Sequence, residues 1–276
     1  MRLTTLVRST SVLVALSALL SLAGCSGSSA THTDSAGTMT AGTLAVGSDL
    51  TYPPYAYLDG TTAAGFDPDI SRALAKTAGL QTTFDDTRFE QLIAGLGTGR
   101  FDVIASDLYI TAAREKQVDF IPYFTTGNSI VVTTSGSYRP RAVSDLCGKT
   151  VAVIKGGQIV EKLRGEASQQ CTAAGRKAID VREFTSDPEG TQALLSGQVD
   201  AQVTDTAVAK SAADRTHGKL TISSHGLIYP VESGLAVKKG NTALLKTLTT
   251  ALDKLKRNGT YDKLLATYNL GRIQAG

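Results

Sequence analysis

The chain is poor in the side chains on which most enzyme chemistry rests. Only 3 histidines and 3 cysteines occur in 276 residues. His32, His217 and His225 are scattered without metal-ligand spacing, and no Cys-x-x-Cys pair exists for metal or redox chemistry. No Ser, Cys and His grouping matches a nucleophilic constellation, and no cofactor or metal is expected. Excess charge of one sign is also scarce. The formal net charge is +3, and Arg2 and Arg8 fall in a segment expected to be removed, which leaves the rest nearly neutral. That balance gives no support to nucleic-acid binding. Beyond the first 24 residues no second long apolar run appears, so the remainder is expected to be soluble on whatever anchors it.

What is present begins with Arg2 and Arg8 ahead of an apolar run from Ser11 to Ala23, a signal-peptide layout. Leu22-Ala23-Gly24-Cys25 resembles a bacterial lipobox, in which Cys25 is lipidated and starts the mature chain. An uncleaved transmembrane helix is the alternative, but the run is short for a bilayer core of about 30 Å. Residues 1–24 are therefore read as signal peptide, and 25–41, rich in Ser, Thr, Gly and Ala, as a lipidated flexible tether. With Cys25 taken by lipid, Cys147 and Cys171 remain in an exported, oxidising environment and are expected to form a disulfide.

From Gly42 onward strand and helix patterns alternate, which argues for an α/β architecture with mostly parallel sheets. The strand from Thr43 to Gly47 opens into Ser48-Asp49-Leu50-Thr51-Tyr52-Pro53-Pro54-Tyr55, a loop fixed by its prolines at the carboxyl end of a strand, where open α/β sheets bind ligands. Tyr52 and Tyr55 there either face a ligand or cap a core. Asp67 is expected to cap a helix that begins at Pro68, carries Ile70, Leu74 and Ala78 on one face and stops at Gly79. A buried strand from Phe101 to Ala105 leads through Ser106-Asp107-Leu108-Tyr109-Ile110 to Thr111, the N-cap of a helix with Arg114 in its first turn. Backbone N–H groups, the helix dipole and a guanidinium would converge there on a carboxylate or phosphate. The plainer alternative is a solvated surface arginine.

In the second half, the strand from Val151 to Ile154 runs into Lys155-Gly156-Gly157-Gln158, where the glycines let a ligand approach the backbone at a helix start. Asp205 closes the strand that begins at Val199, either as the N-cap of the next helix or as a ligand contact. Leu244, Leu248, Leu252 and Leu255 form a core stripe on a helix opened by Asn241, and Thr260 is expected to cap the last helix.

The succession Gly65-Phe66-Asp67-x-Asp69-Ile70, Phe101-Asp102-Val103-Ile104, Ile110-Thr111-x-x-Arg114 and Val118-Asp119-Phe120 resembles the polar amino-acid family of bacterial solute-binding proteins, the extracytoplasmic receptors of ABC importers. The likeness runs from about Thr43 to Leu270. It implies a type II periplasmic-binding-protein fold: two lobes of mixed sheet flanked by helices and joined by a two-strand hinge. The first lobe would be 42–126 plus 232–276, and the second 127–231. Arg114 would grip the α-carboxylate of a ligand and Asp205 its α-ammonium, with Asp49, Tyr52, Phe89, Ser106, Asp107, Tyr109, Gly157 and Gln158 completing the site. The chain departs from the family where specificity is set. Asp107 stands where a small residue is usual, Tyr109 where Ser or Thr is usual, and Gly157 where Thr or Ser is usual. A carboxylate beside an aromatic suits a cationic ligand group, whereas an Asp107 turned away into a hydrogen-bond network suits a neutral one. The resemblance implies an ABC permease partner, a monomer, and anchoring through Cys25 on the extracytoplasmic face of the cell membrane. Two other classes remain open: an exported cyclohexadienyl-dehydratase-like enzyme on the same fold, and a solute-sensing lipoprotein without an importer.

Overall fold

A computed structural model describes residues 36–270. The signal segment 1–24 and Cys25 lie outside the described residues. In chain order the strands and helices begin with β1 (Thr43–Ser48), β2 (Thr51–Tyr52), β3 (Ala56–Asp59), β4 (Thr62–Ala64), α1 (Phe66–Ala78) and β5 (Gln81–Asp86). They continue through α2 (Leu92–Thr98), β6 (Val103–Tyr109), α3 (Ala112–Glu115), β7 (Val118–Thr133), β8 (Thr150–Ile154), α4 (Gln158–Lys162), α5 (Ser168–Ala173) and β9 (Asp180–Phe184). The rest is α6 (Asp187–Leu195), β10 (Ala201–Asp205), α7 (Thr206–Arg215), β11 (Leu220–Ile222), β12 (Ile228–Lys238), α8 (Thr242–Arg257) and α9 (Thr260–Thr267).

Nine strands form one sheet: eight follow the path β5-β1-β6-β12-β7-β10-β8-β9, and β11 pairs with β7 off that path. The middle of that path joins two lobes. β7 and β12 pair antiparallel along nearly their whole length, Ser233 opposite Phe124 and Lys238 opposite Val118. The carboxyl half of β12 carries β6 and, through it, β1 and β5. The far half of β7 carries β10, β8 and β9 instead. The ladder between the two long strands slips twice, between Ile228 and Val231 and between Ser233 and Gly234. Such bulges bend a strand locally. The expected two-strand hinge is thus made of strands and not of loops.

Each lobe has helices on both faces of its sheet. In the first, Leu44, Val46, Ile70, Leu74, Leu248, Leu252 and Leu255 share one core, while Leu92, Leu96, Phe101 and Ile104 share the other. In the second, alternation along β7 sends Ile130 and Val132 into one core and Val131 into the opposite one. Cys147 and Cys171 are joined, with 5.5 Å between their Cα atoms, so the expected disulfide is present. It ties the end of α5 to the approach of β8, and a π-helical turn at Leu163–Ala167 separates α4 from α5.

Three local expectations need correction. The helix read as starting at Pro68 begins at Phe66, with Gly65 at its N-cap. Asp67 therefore sits inside the first turn, fully buried, and its carboxylate accepts from the Asp107 amide at 2.8 Å and the Tyr123 hydroxyl at 2.7 Å. Thr260 is the first residue of α9, whose N-cap is Gly259. Residues 36–41, read from composition as tether, are docked: Thr38 is buried and the Met39 amide donates to Asp102 at 2.7 Å. Thr111 and Asn241 do cap their helices, the Thr111 hydroxyl accepting from the Arg114 amide at 3.3 Å and the Asn241 side chain from the Leu244 amide at 3.1 Å.

Candidate functional site

The lobes meet over a buried cluster of tyrosines that converges on Asp205. This residue ends β10, and its carboxylate caps α7 by accepting from the Ala207 amide at 2.8 Å. The same oxygen accepts from Tyr55 at 2.9 Å, and the second oxygen accepts from Tyr109 at 2.8 Å and Thr126 at 2.6 Å. A carboxylate offers about four lone-pair positions. All are therefore in use. Tyr52 reaches the neighbouring Thr204 hydroxyl at 3.3 Å and stacks near Tyr55, which stacks in turn on Phe124. Burial raises the Asp205 carboxyl above its usual range, while the four donors pull it back. Of the two sequence-level readings of Asp205, the N-cap is present, and its remaining acceptor positions are filled by Tyr55, Tyr109 and Thr126.

In front of this cluster lies a small cavity of about 20 Å³, walled by Tyr52, Phe89, Asp107, Tyr109 and Arg114 on one side and by Ile154, Gly157, Gln158 and Ile159 on the other, with Asn128, Val203 and Thr204 at its back. That is room for about one water molecule, against the roughly 300 Å³ or more of an ordinary small-molecule site. The lobes are closed. A groove of about 740 Å³ also runs between the lobes, but it is open, and Arg215 is its one charged lining residue.

Arg114 spans the seam. It is 8% exposed, one guanidinium nitrogen donates to the Tyr109 carbonyl at 2.8 Å, and the other donates across the lobes to the Gly156 carbonyl at 3.1 Å. Its guanidinium lies over the Phe89 ring, 5.5 Å from the centroid. Burial lowers its pKa to about 10, so it remains a cation at neutral pH. α3 is a single turn, so the guanidinium outweighs the helix dipole as the anion-attracting feature. Gly156 lies at φ +76°, with its backbone pressed so closely on Glu90 that a Cβ would sit 2.9 Å from the Glu90 Cα. The Gly157 amide, expected as a ligand donor, is turned back to the Ile154 carbonyl at 3.2 Å.

Asp107 is the anomaly of the site. Its φ of +45° is rare for a residue with a side chain, and it is sustained by the amide bond to Asp67. The carboxylate is buried, and neither oxygen has a hydrogen-bond partner among the described residues. Desolvation, then the charge on Asp205, push its pKa well above the usual carboxylate range.

The structure thus brings Tyr52, Phe89, Asp107, Tyr109, Arg114, Gly157 and Gln158 to one cavity. Asp205 stands one side chain behind the wall, screened by Tyr109. Asp49 and Ser106 are buried but off the wall. Asp49 accepts from Thr51 and the Phe89 amide and pairs with Arg88 at 3.0 Å, and the Ser106 hydroxyl accepts from the Asp49 amide at 3.0 Å. Sequence reasoning missed Asn128, Thr204 and Thr126, which approach from β7 and β10. Asn128 adds an unpartnered side-chain donor to the cavity. No motif marks these three; only their place near lobe-crossing strands points to them.

The pattern of the bacterial extracellular solute-binding proteins, family 3, matches residues 44–271. The chain belongs to this family. The L-cystine-binding protein TcyJ of Escherichia coli is 31% identical over 225 residues, 81% of each chain. The L-arginine-binding protein of Pseudomonas aeruginosa is 30% identical over 233 residues, covering 81% of this chain and 86% of that one. Among solved structures, an ancestral arginine-binding protein bound to arginine superposes with a TM-score of 0.74 at 35% identity, over 82% of this chain and 98% of that one. For a family 3 solute-binding protein, a two-lobe body with charged groups buried at the seam is the expected frame, and the relatives are binding proteins.

Proposed function

We propose that this solute-binding protein is the amino-acid receptor of an ABC importer and works by lobe closure, without catalysis. The observation that carries the reading is the placement of Arg114 and Asp205: a buried guanidinium from one lobe and a buried carboxylate from the other, separated by Tyr109 at one cavity. An amino acid entering the parted lobes would set its α-carboxylate on Arg114, taking the place of the Gly156 and Tyr109 carbonyls. Its α-ammonium would take the Tyr109 hydroxyl's position on Asp205. Only the closed state pairs both charges, so the ligand favours closure by its differential affinity.

The first lobe (42–126 plus 232–276) and the second (127–231) would move as units on β7 and β12. The receptor would act as a monomer, tethered by lipid on Cys25 at the extracytoplasmic face and delivering to a permease. Calorimetry with a panel of amino acids tests this. Arg114→Ala is expected to lose about 2 to 5 kcal/mol of binding energy, since a buried partner is left unpaired; unchanged affinity would refute the assignment. A dehydratase on this fold is the second reading, favoured by Asp107 alone, because burial pushes its carboxyl well above the usual carboxylate range, the direction a general acid requires. Turnover of prephenate or arogenate would establish it.

A further inference from the structure

The proposed ligand poses leave one charged group on the cavity wall without a role. Around Asp107 stand Asp67 from α1, Tyr52 from β2, Tyr55 from the turn after it, Tyr109 from β6, Arg114 from α3, Tyr123 from β7, Ser233 from β12 and Asp205 from the end of β10. The Ser233 hydroxyl alone among them acts on its carboxylate, and no hydrogen bond of ordinary geometry reaches either oxygen among the described residues, whereas every acceptor position of Asp205 is filled and both oxygens of Asp67 are bonded. A buried carboxylate without a donor is costly. It is held here in a left-handed backbone conformation that a side chain rarely adopts, and backbone strain of that kind clusters at ligand sites.

We infer that Asp107 is the acceptor for a second positive charge on the ligand, so that the solute is a dibasic amino acid carrying one carboxylate and two cations. The charge count supports this and rests on the receptor reading above. Arg114, Asp107 and Asp205 together carry one net negative charge when all are ionised, and a dibasic amino acid brings one net positive charge. A neutral amino acid leaves Asp107 buried without a counter-ion, so the carboxyl must then keep a proton.

The two outcomes differ in proton stoichiometry. In the unliganded protein, desolvation and the neighbouring Asp205 push the Asp107 carboxyl well above the usual carboxylate range, toward its protonated form. A ligand ammonium or guanidinium favours its charged form, so a dibasic ligand releases protons from this group and binds more tightly as pH rises. A neutral ligand expels none from this group.

The test is calorimetry at pH 7 in phosphate and in Tris, whose ionisation enthalpies differ, using L-arginine, L-lysine, L-ornithine and L-glutamine with the wild type, Asp107→Asn and Arg114→Ala. Asparagine tolerates the left-handed backbone, so Asp107→Asn is expected to fold, and Asp107→Ser serves as a second variant if it does not. Expected are net proton release with a dibasic ligand, its loss in Asp107→Asn, and a fall of about 30-fold or more in the ratio of dibasic to neutral affinity. A wild type that prefers glutamine but still depends on Arg114 overturns this inference and keeps the receptor reading. So does an Asp107→Asn variant with unchanged ratio and proton count. A protein that binds no amino acid overturns both.

Discussion

Closure of the lobes can be tested at one atom. Gly156→Ala adds a methyl group whose carbon would stand 2.9 Å from the Cα of Glu90 and 2.9 Å from its Cβ, where ordinary contact begins at 3.4 Å. Glu90 belongs to the first lobe and Gly156 to the second, so the clash exists only when the lobes are shut. Gly156 also has φ +76°, and the left-handed conformation costs alanine about 1–2 kcal/mol in the open and closed forms alike. Overpacking of about half an ångström against backbone costs roughly 1–3 kcal/mol. Binding coupled to closure should therefore weaken by about 5- to 150-fold. Gly197→Ala is the matched control, because Gly197 shares the φ of +76° but has nothing within 4 Å of the added carbon. Both variants should lose similar stability to urea, and only Gly156→Ala should lose affinity in calorimetry and show an enlarged radius of gyration with ligand in small-angle scattering. Equal affinity of the two variants would refute the close approach of Glu90 and Gly156 as a condition of capture.

Replacing Cys147 and Cys171 by serine opens a loop whose ends are 24 residues apart, and the chain-entropy relation puts the loss at about 3 kcal/mol, measurable by urea unfolding without reductant. The pH dependence of stability should run opposite to that of a protein held by paired carboxylates. Burial raises Asp67 to about 7 and Asp187 to about 6 from an ordinary 3.8, so between those values the folded chain binds more protons than the unfolded one. The stabilisation from keeping these protons is complete below the ordinary value and is lost as pH rises to about 7. Scanning calorimetry of the ligand-free protein should accordingly give a higher Tm at pH 5 than at pH 8, and Asp187→Asn should reduce the difference; a Tm that climbs over this range would contradict the burial argument.

The order of strands and helices is legible in the sequence because apolar periodicity and breakers are local signals. The stripe Leu244, Leu248, Leu252 and Leu255 is buried as read, and so are the strands around Val46 and Ile104. Helix starts were legible where a polar side chain does the capping, at Thr111, Asp205 and Asn241, and misread where glycine does, at Gly65 and Gly259. Asp67 illustrates the reason: aspartate before proline looks like a cap, but here tertiary contacts with Asp107 and Tyr123 claim its carboxylate. Arg114 could be picked out by motif and charge. The convergence of Tyr55, Tyr109 and Thr126 on Asp205 could not, since their partners lie 150, 96 and 79 residues away along the chain.

The arrangement of β7 and β12 also bears on how the chain can be cut. Every cavity-wall residue lies between Tyr52 and Thr204, with Asp205 immediately behind. A gene shortened after that point keeps every wall residue of the cavity and still loses its geometry. β6, which positions Asp107 and Tyr109, has β12 as its neighbour on one edge, and the core over α1 is closed by α8 from beyond residue 241. The strands β8, β9, β10 and β11 come from one uninterrupted stretch that carries the disulfide, and β6 and β12, which pair with each other, come from either side of it. Because β12 and α8 come after every residue of the cavity wall, the cavity cannot be kept by trimming from the carboxyl end, however complete the list of wall residues that remains.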